Sequence, residues 1–210
     1  MRLSYIIGVL AVFISIVATA QTQPSSEYGI DTAESTIQVG VFREGLFKAF
    51  GHDHLIAVKN FSGSVHFNAN RMEESSLILN VEAKSLTVLD PGEAEKDRRD
   101  VQATMLGTKV LGVETFPLIR FRSTGVHQIK KVGEDWEITL LGDLNLHGVE
   151  KPISFPVRIH FDNTRLTAHG EVFIAQTDFG ITPIKVAGGM VRVKDRVKVS
   201  FNIVAVRNKS

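Results

Sequence analysis

The sequence predicts a single all-β domain with one inserted helix, and two patterns in the chain lead to this prediction. Apolar residues recur at every second position in several segments, as expected for strands that bury one face. The clearest segment is 197–205, where apolar residues occupy every odd position. One segment, 93–106, has helical spacing instead. The chain therefore predicts many strands and one helix, with no boundary that would divide it into two domains.

Alternation predicts about eight or nine strands. They are expected at 37–42, 61–68, 77–84, 119–123, 136–146, 153–161, 166–174 and 197–205, with a further strand near 28. An antiparallel sheet with one apolar face must either close on itself or pack against a second sheet. Eight strands close around an interior that holds packed side chains or one small ligand. Alternation alone fits a barrel and a two-sheet sandwich equally well.

The predicted helix has a recognisable start. Asp90 is a typical N-cap residue, Pro91 suits the first helical position, and Glu93 follows three residues after the cap. Opposite charges then stand four residues apart, as on a helical surface, at Glu95 and Arg99 and at Lys96 and Asp100. An apolar stripe follows, formed by Val101, Met105 and Leu106. We expect this helix to cover one mouth of a barrel.

The first residues resemble an export signal. Arg2 precedes the apolar run 6–17, and Ala18, Thr19 and Ala20 give the small residues that signal peptidase reads. The run is shorter than the roughly 20 residues that span a bilayer, so a signal peptide is favoured over an uncleaved anchor. We expect a signal peptide at 1–20, a flexible polar leader at 21–27 and one β-barrel domain at 28–207. A periplasmic location follows from this interpretation.

Charge and cysteine content exclude several classes of partner. Without Arg2, the 24 Lys and Arg residues fall to 23, which equals the 23 Asp and Glu residues. A chain near zero net charge, without a basic cluster, is not expected to bind nucleic acid or to be held at an anionic membrane. The absence of cysteine excludes disulfides and a lipid anchor at the cleavage site. The sequence leaves open whether the protein forms a homodimer.

Five motifs, spread over most of the chain, carry a family resemblance. They are Tyr28–Ile37, Phe61–Phe67, Phe116–Thr124, Gly142–Ile153 and Asp178–Ile181. In their order and spacing they resemble the YceI-like proteins, which are lipocalin-like isoprenoid-binding proteins of bacterial periplasms. The resemblance extends from about residue 28 to residue 206. Each motif is weak alone, and it is the five in order that make the resemblance specific.

The resemblance implies an extended antiparallel β-barrel of about eight strands with a helix near one end. It also implies an apolar tunnel for an isoprenoid, quinone-like or fatty amphiphile, with neither catalysis nor a cofactor. Two positions depart from the family. Gln176 and Thr177 stand where an arginine is common before Asp178, and Val110 and Leu111 replace an aromatic pair. Binding of a head group through that arginine is therefore not expected to carry over.

Candidate ligand-binding residues come from the inward parity of the strands, the aromatic residues near 50 and the family motifs. They are Phe47, Phe50, His52, His54, Leu79, Val81, Ile119, Phe121, Leu140, Leu144, Phe155, Phe179 and Phe201. Ala83 shares the parity of Leu79 and is expected to face the same interior. His147, at a predicted hairpin, is interpreted as a structural residue.

His52 and His54 leave several roles open. Two residues apart on a strand, they face the same side and could share a metal ion, with a third ligand such as His66 or His147. They could equally contact a polar head group or satisfy backbone groups. The alternatives to a lipid-binding protein are thus a metal-dependent enzyme or metal-binding protein that uses these histidines, and a packed structural barrel without a ligand. Hydrolase, metalloprotease, kinase and dinucleotide-binding motifs are absent from the sequence.

The interpretation of residues 1–20 has a direct test. We expect protein recovered from the exported fraction of its own cells to begin near Gln21, because cleavage follows the small residues at 18–20. N-terminal sequencing or intact mass measurement gives the answer. A soluble cytoplasmic species that retains Met1 would contradict the prediction.

Overall fold

Alternating apolar residues build a set of antiparallel strands with a single helix, as the sequence predicts. The computed structural model describes residues 25–44, 53–186 and 191–208. The strands are β1 (Ser26–Ile30), β2 (Thr36–Val41), β3 (Arg43–Glu44), β4 (His54–Val58), β5 (Phe61–Phe67), β6 (Ser76–Glu82), β7 (Leu86–Val88), β8 (Leu118–Val132), β9 (Asp135–Leu146), β10 (Val149–Phe161), β11 (Arg165–Ala175), β12 (Lys185–Val186), β13 (Val191–Val193) and β14 (Arg196–Arg207). The helix α1 is Glu95–Leu106.

Eight of the described strands close into an antiparallel barrel, which confirms the barrel alternative over the sandwich. Their order is β1-β5-β6-β8-β9-β10-β11-β14, and β14 pairs back to β1. Strand β14 also pairs with β2, from which β4 and β7 continue as a branch. The short strands β12, β13 and β3 form a separate small sheet. None of the helices in these described ranges is long and apolar enough to cross a bilayer.

Side chains of one parity point into the barrel and form its apolar interior. Phe155 of β10 lies between two other rings, with centroids 5.6 Å from Phe121 and 5.8 Å from Phe201. At one end, the Phe67 ring packs edge-on against the rings of Tyr28 and Phe161. The interior is therefore lined by large side chains from strands that are far apart in sequence.

The helix occurs where the sequence predicts it, but its predicted cap is wrong. α1 begins at Glu95, and Ala94 occupies the N-cap position without a side-chain cap bond. Asp90 instead turns towards β4, where its carboxylate accepts hydrogen bonds from the His54 ring and the Leu55 backbone N–H. These two donors hold the Asp90 side chain away from the helix. The expected surface pairs do form, with Lys96 Nζ 2.6 Å from Asp100 and Arg99 bound to Glu95.

The helix is fixed to the exposed edge of β7 through one glutamine. The Val88 backbone N–H donates to Gln102 Oε1 at 2.8 Å, and Gln102 Nε2 donates to the Leu86 carbonyl at 2.7 Å. The amide thus supplies the donor and acceptor that a further strand would provide. Strand edges left unpaired are templates for aggregation, so this cover protects the branch.

Two sequence predictions about the strands need correction. Strand β8 does not end near 123 but continues to Val132, because register shifts near Ser123 and His127, together with a positive φ at Gln128, break the alternation. Ala83 lies outside β6, in a short 3₁₀ turn, Ala83–Ser85. It is 1% exposed and its N–H donates to the Pro117 carbonyl at 2.9 Å. Ala83 therefore does not share the inward position of Leu79.

Gly142 of β9 has no room for a side chain. A Cβ atom there would lie 2.3 Å from the Phe121 ring and 2.6 Å from the Arg122 carbonyl oxygen. We expect Gly142→Ala to lower the free energy of unfolding by about 1–3 kcal/mol, because the ring must move into the barrel. Urea unfolding measures this loss.

Gly29→Ala is the matched control. Gly29 also lies in a strand, but a Cβ there would meet only the Asn208 side chain, at 3.3 Å. We expect a much smaller change, since that side chain can move. Equal stability of the two variants would contradict the close contact at Gly142.

Candidate functional site

The barrel encloses open space rather than a filled core. A cavity of about 190 Å³, here the inner cavity, is bounded by β1, β2, β5, β6, β8–β11 and β14. A second cavity of about 480 Å³, the outer cavity, lies between the barrel, the β2–β4–β7 branch and α1. Five residues line both cavities: Ile37, Leu79, Leu144, Ile174 and Val199. The two cavities therefore adjoin within the barrel, and together they are called the tunnel.

Glycines in the strands keep the inner cavity open. The Phe121 ring occupies the space where a Cβ of Gly142 would stand, and the Phe201 ring lies against Gly170 in the same way, with its nearest atom 2.8 Å from a Cβ built there. Each ring therefore lies along the barrel wall rather than across the lumen. An eight-stranded barrel is narrow enough to be filled by side chains, so this arrangement is what leaves room for a ligand.

The walls of the inner cavity are apolar. In the described part of the chain, Ser75 and Ser76 are the polar residues that reach them. The Ser75 hydroxyl accepts a hydrogen bond from the Asn68 backbone N–H at 3.0 Å, so it is already engaged. Such walls offer a ligand contact area but few hydrogen bonds.

The outer cavity differs because polar side chains reach its wall. They are Arg43, His54, Asp100, Thr104, Gln176 and Arg192. His54 Nδ1 lies 2.6 Å from Asp90 Oδ2, and the Leu55 N–H donates to Asp90 Oδ1 at 2.7 Å. The Asp90 side chain is 3% exposed, so this pair is a fixed part of the wall. Polar groups thus gather at the outer end of an otherwise apolar tunnel.

Most of the candidate ligand residues lie on the tunnel wall. Those that line one or both cavities are His54, Leu79, Val81, Ile119, Phe121, Leu140, Leu144, Phe155 and Phe201. Phe179 lines neither cavity and is 1% exposed, which suits a structural role. Phe47, Phe50 and His52 lie outside the described residues. Contact of any of these residues with a ligand stays a prediction.

Some wall residues escaped the sequence analysis because they are not on strands. Met72 belongs to a 3₁₀ turn and reaches the inner cavity, while Met105 of α1 reaches the outer one. Val110, Leu111 and Gln176, where the chain departs from the family pattern, all line the outer cavity. Those departures were the available signal for this part of the wall.

His147 has the structural role that the sequence suggests. It occupies the β9–β10 turn with a φ of 53°, next to Gly148 with a φ of 75°. Its Nδ1 atom lies 3.2 Å from the Phe179 carbonyl oxygen, and its ring packs edge-on against Phe116 at a centroid distance of 4.5 Å. The residue joins the hairpin to the 3₁₀ turn that holds Phe179.

The structure offers no metal site among residues 25–44, 53–186 and 191–208: no three His, Cys, Asp or Glu side chains there are placed to hold an ion together. His54 is engaged by Asp90, and His66 lies with its Nδ1 2.6 Å from Glu27. His147 is engaged as described above. In each of these three histidines the Nδ1 atom is engaged by another residue, and His52 lies outside the described residues.

Two curated proteins are similar to this chain. A UPF0312 protein of Shewanella denitrificans is 29% identical over 132 residues, which is 62% of this chain and 60% of that protein. Protein YceI of Salmonella agona is 28% identical over 148 residues, 70% of this chain and 69% of that protein. The chain thus matches less than two thirds of the length of the Shewanella protein.

Solved structures show the same fold. BcnA of Burkholderia cenocepacia superimposes with a TM-score of 0.65 at 20% identity, covering 83% of this chain and 98% of BcnA. A polyisoprenoid binding domain from Saccharophagus degradans gives 0.60 at 14% identity, covering 88% and 100%. At these identities the likeness concerns the fold alone. The family model of the YceI-like domain matches residues 28–205, which begin within β1 and end within β14, and the chain therefore belongs to the YceI-like family.

Proposed function

We propose that this protein is an exported binding protein that holds an isoprenoid or other amphipathic lipid in its tunnel, as a carrier or by sequestration. The observation that carries the proposal is the pair of adjoining cavities, of about 190 and 480 Å³, with apolar walls and polar groups at one end only. An amphiphile has the same distribution of polarity. Its tail would occupy the inner cavity and its head group the outer one.

Family and fold support this assignment. The YceI-like domain covers most of the chain, and the Saccharophagus domain with the same fold is a polyisoprenoid binding domain. Residues 1–20 support export, which would place the protein in the periplasm. A quinone-like or fatty amphiphile also has an apolar tail that such a tunnel accepts.

Burial of tail surface would drive binding. At about 25 cal/mol per Å², burying roughly 400 Å² of tail gives about 10 kcal/mol. The loss of translational and rotational freedom on binding is of similar size. We therefore expect moderate affinity. Tails that differ by one methylene should be poorly discriminated, because each is worth only about 0.8 kcal/mol.

A binding role is also favoured over catalysis by the state of the polar groups on the wall. A nucleophile or general base must be within reach of the reacting atoms and available to act on them. His54 is held by Asp90, and Asp100 is held by Lys96 at 2.6 Å. The Thr104 hydroxyl on the same wall donates to the Asp100 carbonyl at 2.8 Å, so among the described residues the His54–Asp90 pair has no nucleophile hydrogen-bonded to it.

Ala168 of β11 offers a test of the hollow tunnel. It lines the inner cavity, so Ala168→Phe should fill space that a lipid tail would occupy. We expect binding of a fluorescent polyene or prenyl probe to fall about tenfold or more, with little loss of stability. In a packed barrel the same change would overfill the core and cost about 1–3 kcal/mol. Probe titration and thermal unfolding of delipidated protein measure the two effects.

Ala33→Phe is the matched control, because Ala33 is exposed in the turn after β1. It adds the same ring without entering the tunnel and should leave probe binding unchanged. Strong destabilisation by Ala168→Phe, together with no probe binding by the wild type, would favour a packed structural barrel and contradict the carrier proposal.

A further inference from the structure

Each basic side chain on the described tunnel wall already has a carboxylate partner. Arg43 Nε lies 3.8 Å from Asp53 Oδ1, and the Arg43 backbone N–H donates to the same oxygen at 3.0 Å. Arg192 Nε lies 3.9 Å from Glu44 Oε1. His54 is held by Asp90 as described above. Within residues 25–44, 53–186 and 191–208, no other lysine, arginine or histidine reaches either cavity.

Arg43 is the cation best placed to meet a head group. In the small sheet, Arg43 of β3 stands opposite Val193 of β13, whereas Arg192 stands opposite Glu44. Residues directly opposite each other on antiparallel strands share a face of the sheet. Val193 lines the outer cavity, so Arg43 lies on the same side as that wall. The Arg43–Asp53 ion pair therefore lies at this end of the tunnel and contributes to the electrostatic potential there.

Within the described residues, an anionic head group would find each positive charge of this wall beside a carboxylate. A phosphate or carboxylate that leaves water must be paired again, because burying an unpaired charge is costly. Here it would approach Arg43 beside Asp53 or Arg192 beside Glu44, and either carboxylate would repel it as a like charge. Asp100 adds a further carboxylate to the same wall.

An uncharged head group meets no such competition. The wall carries two neutral hydrogen-bonding groups, the Gln176 amide and the Thr104 hydroxyl, which donates to the Asp100 carbonyl at 2.8 Å and can still accept a hydrogen bond. Gln176 is oriented by its Nε2 atom, which donates to the Lys194 carbonyl at 2.9 Å. A ligand hydroxyl or carbonyl can exchange hydrogen bonds with such groups without breaking an ion pair.

We propose that the tunnel selects amphiphiles with an uncharged polar head group, a hydroxyl or a carbonyl, over those with a phosphate or carboxylate. Asp53 is the specificity-determining residue, because it neutralises Arg43. The inference rests on the proposed function, since it requires a lipid tail in the tunnel, and it narrows the ligand class within that function.

Asp53→Asn tests this role with little risk to the fold. The Asp53 side chain is 53% exposed, and exposed ion pairs contribute little to stability. An asparagine oxygen can still accept the Arg43 N–H, so the backbone contact is kept. The substitution removes one negative charge and leaves Arg43 available to an incoming anion. Glu44→Gln, which acts on Arg192 in the same way, is the second variant.

The measurement compares two probes that share one tail, farnesol and farnesyl monophosphate, by displacement of a fluorescent prenyl probe. We expect the wild type to bind farnesol about tenfold or more tightly than the monophosphate. Asp53→Asn should tighten monophosphate binding about tenfold and leave farnesol binding unchanged, because an arginine–phosphate pair becomes available.

Asp135→Asn is the matched control. Asp135 Oδ2 lies 2.8 Å from Arg158 Nε and its Oδ1 lies 3.0 Å from His160 Nδ1. Neither basic residue lines the tunnel. The variant changes the net charge by the same amount and should affect neither probe. Thermal unfolding of each variant checks that it is folded.

The outcomes separate this inference from the proposed function. If the wild-type protein binds the monophosphate as tightly as farnesol, the head-group preference is overturned and lipid binding stands. Wild type that binds neither probe overturns the proposed function itself. Unchanged monophosphate binding in both Asp53→Asn and Glu44→Gln, or an equal gain in Asp135→Asn, overturns the role assigned to Asp53.

Discussion

The architecture depends on one strand, β14, which pairs with three others. It runs the full length of β11, meets β2 through Lys198–Asn202, and closes the barrel on β1 with only three residue pairs, Tyr28–Arg207 to Ile30–Ala205. The short closure is extended by the Asp31 N–H, which donates to the Val204 carbonyl at 2.8 Å, and by the Ser35 hydroxyl oxygen, which accepts from the Val204 N–H at 2.9 Å. Because β1 and β2 take different parts of β14, β2 diverges from the closed ring. The β2–β4–β7 branch and α1 then enclose the outer cavity together with the barrel strands.

A second constraint acts inside the ring. Aromatic side chains project inward from β8, β10 and β14, and in a barrel of this size they would fill the lumen. Gly142 and Gly170 prevent this by giving the Phe121 and Phe201 rings space along the wall. The same glycines make the wall intolerant of substitution, since the ring and the neighbouring backbone leave no room for a methyl group. The hollow interior and the tight strand contacts thus have one cause.

The sequence predicted the fold well where a residue's role depends on the strand period. The inward strand residues Leu79, Val81, Ile119, Phe121, Leu140, Leu144, Phe155 and Phe201 all line the tunnel. Prediction failed where long-range contacts override local pattern. Asp90 looked like a helix cap, but the His54 ring and the Leu55 N–H compete successfully for its carboxylate. Ala83 has the same parity as Leu79 but lies in a 3₁₀ turn rather than in the strand. The second half of β8 was not predicted because register shifts interrupt its alternation. On the tunnel wall, the Arg192–Glu44 ion pair joins strands β13 and β3, which become neighbours only in the folded chain.

The separation of polarity along the tunnel also fixes the direction in which an amphiphile can lie. A polar group that enters the inner cavity loses its hydrogen bonds to water. Of the described polar side chains it meets only Ser75 and Ser76 there, and Ser75 already accepts from the Asn68 N–H. Leaving such a group unsatisfied costs about 1–3 kcal/mol, whereas a tail in the same place gains free energy with every methylene buried. The reverse orientation places apolar surface against Arg43 and the charged rim, where it gains less. Orientation is therefore set by the inner cavity, which rejects polar groups, and head-group chemistry is left to the residues of the outer cavity. Under the proposed function, walls with so few hydrogen-bonding groups would thus still distinguish one end of an amphiphile from the other.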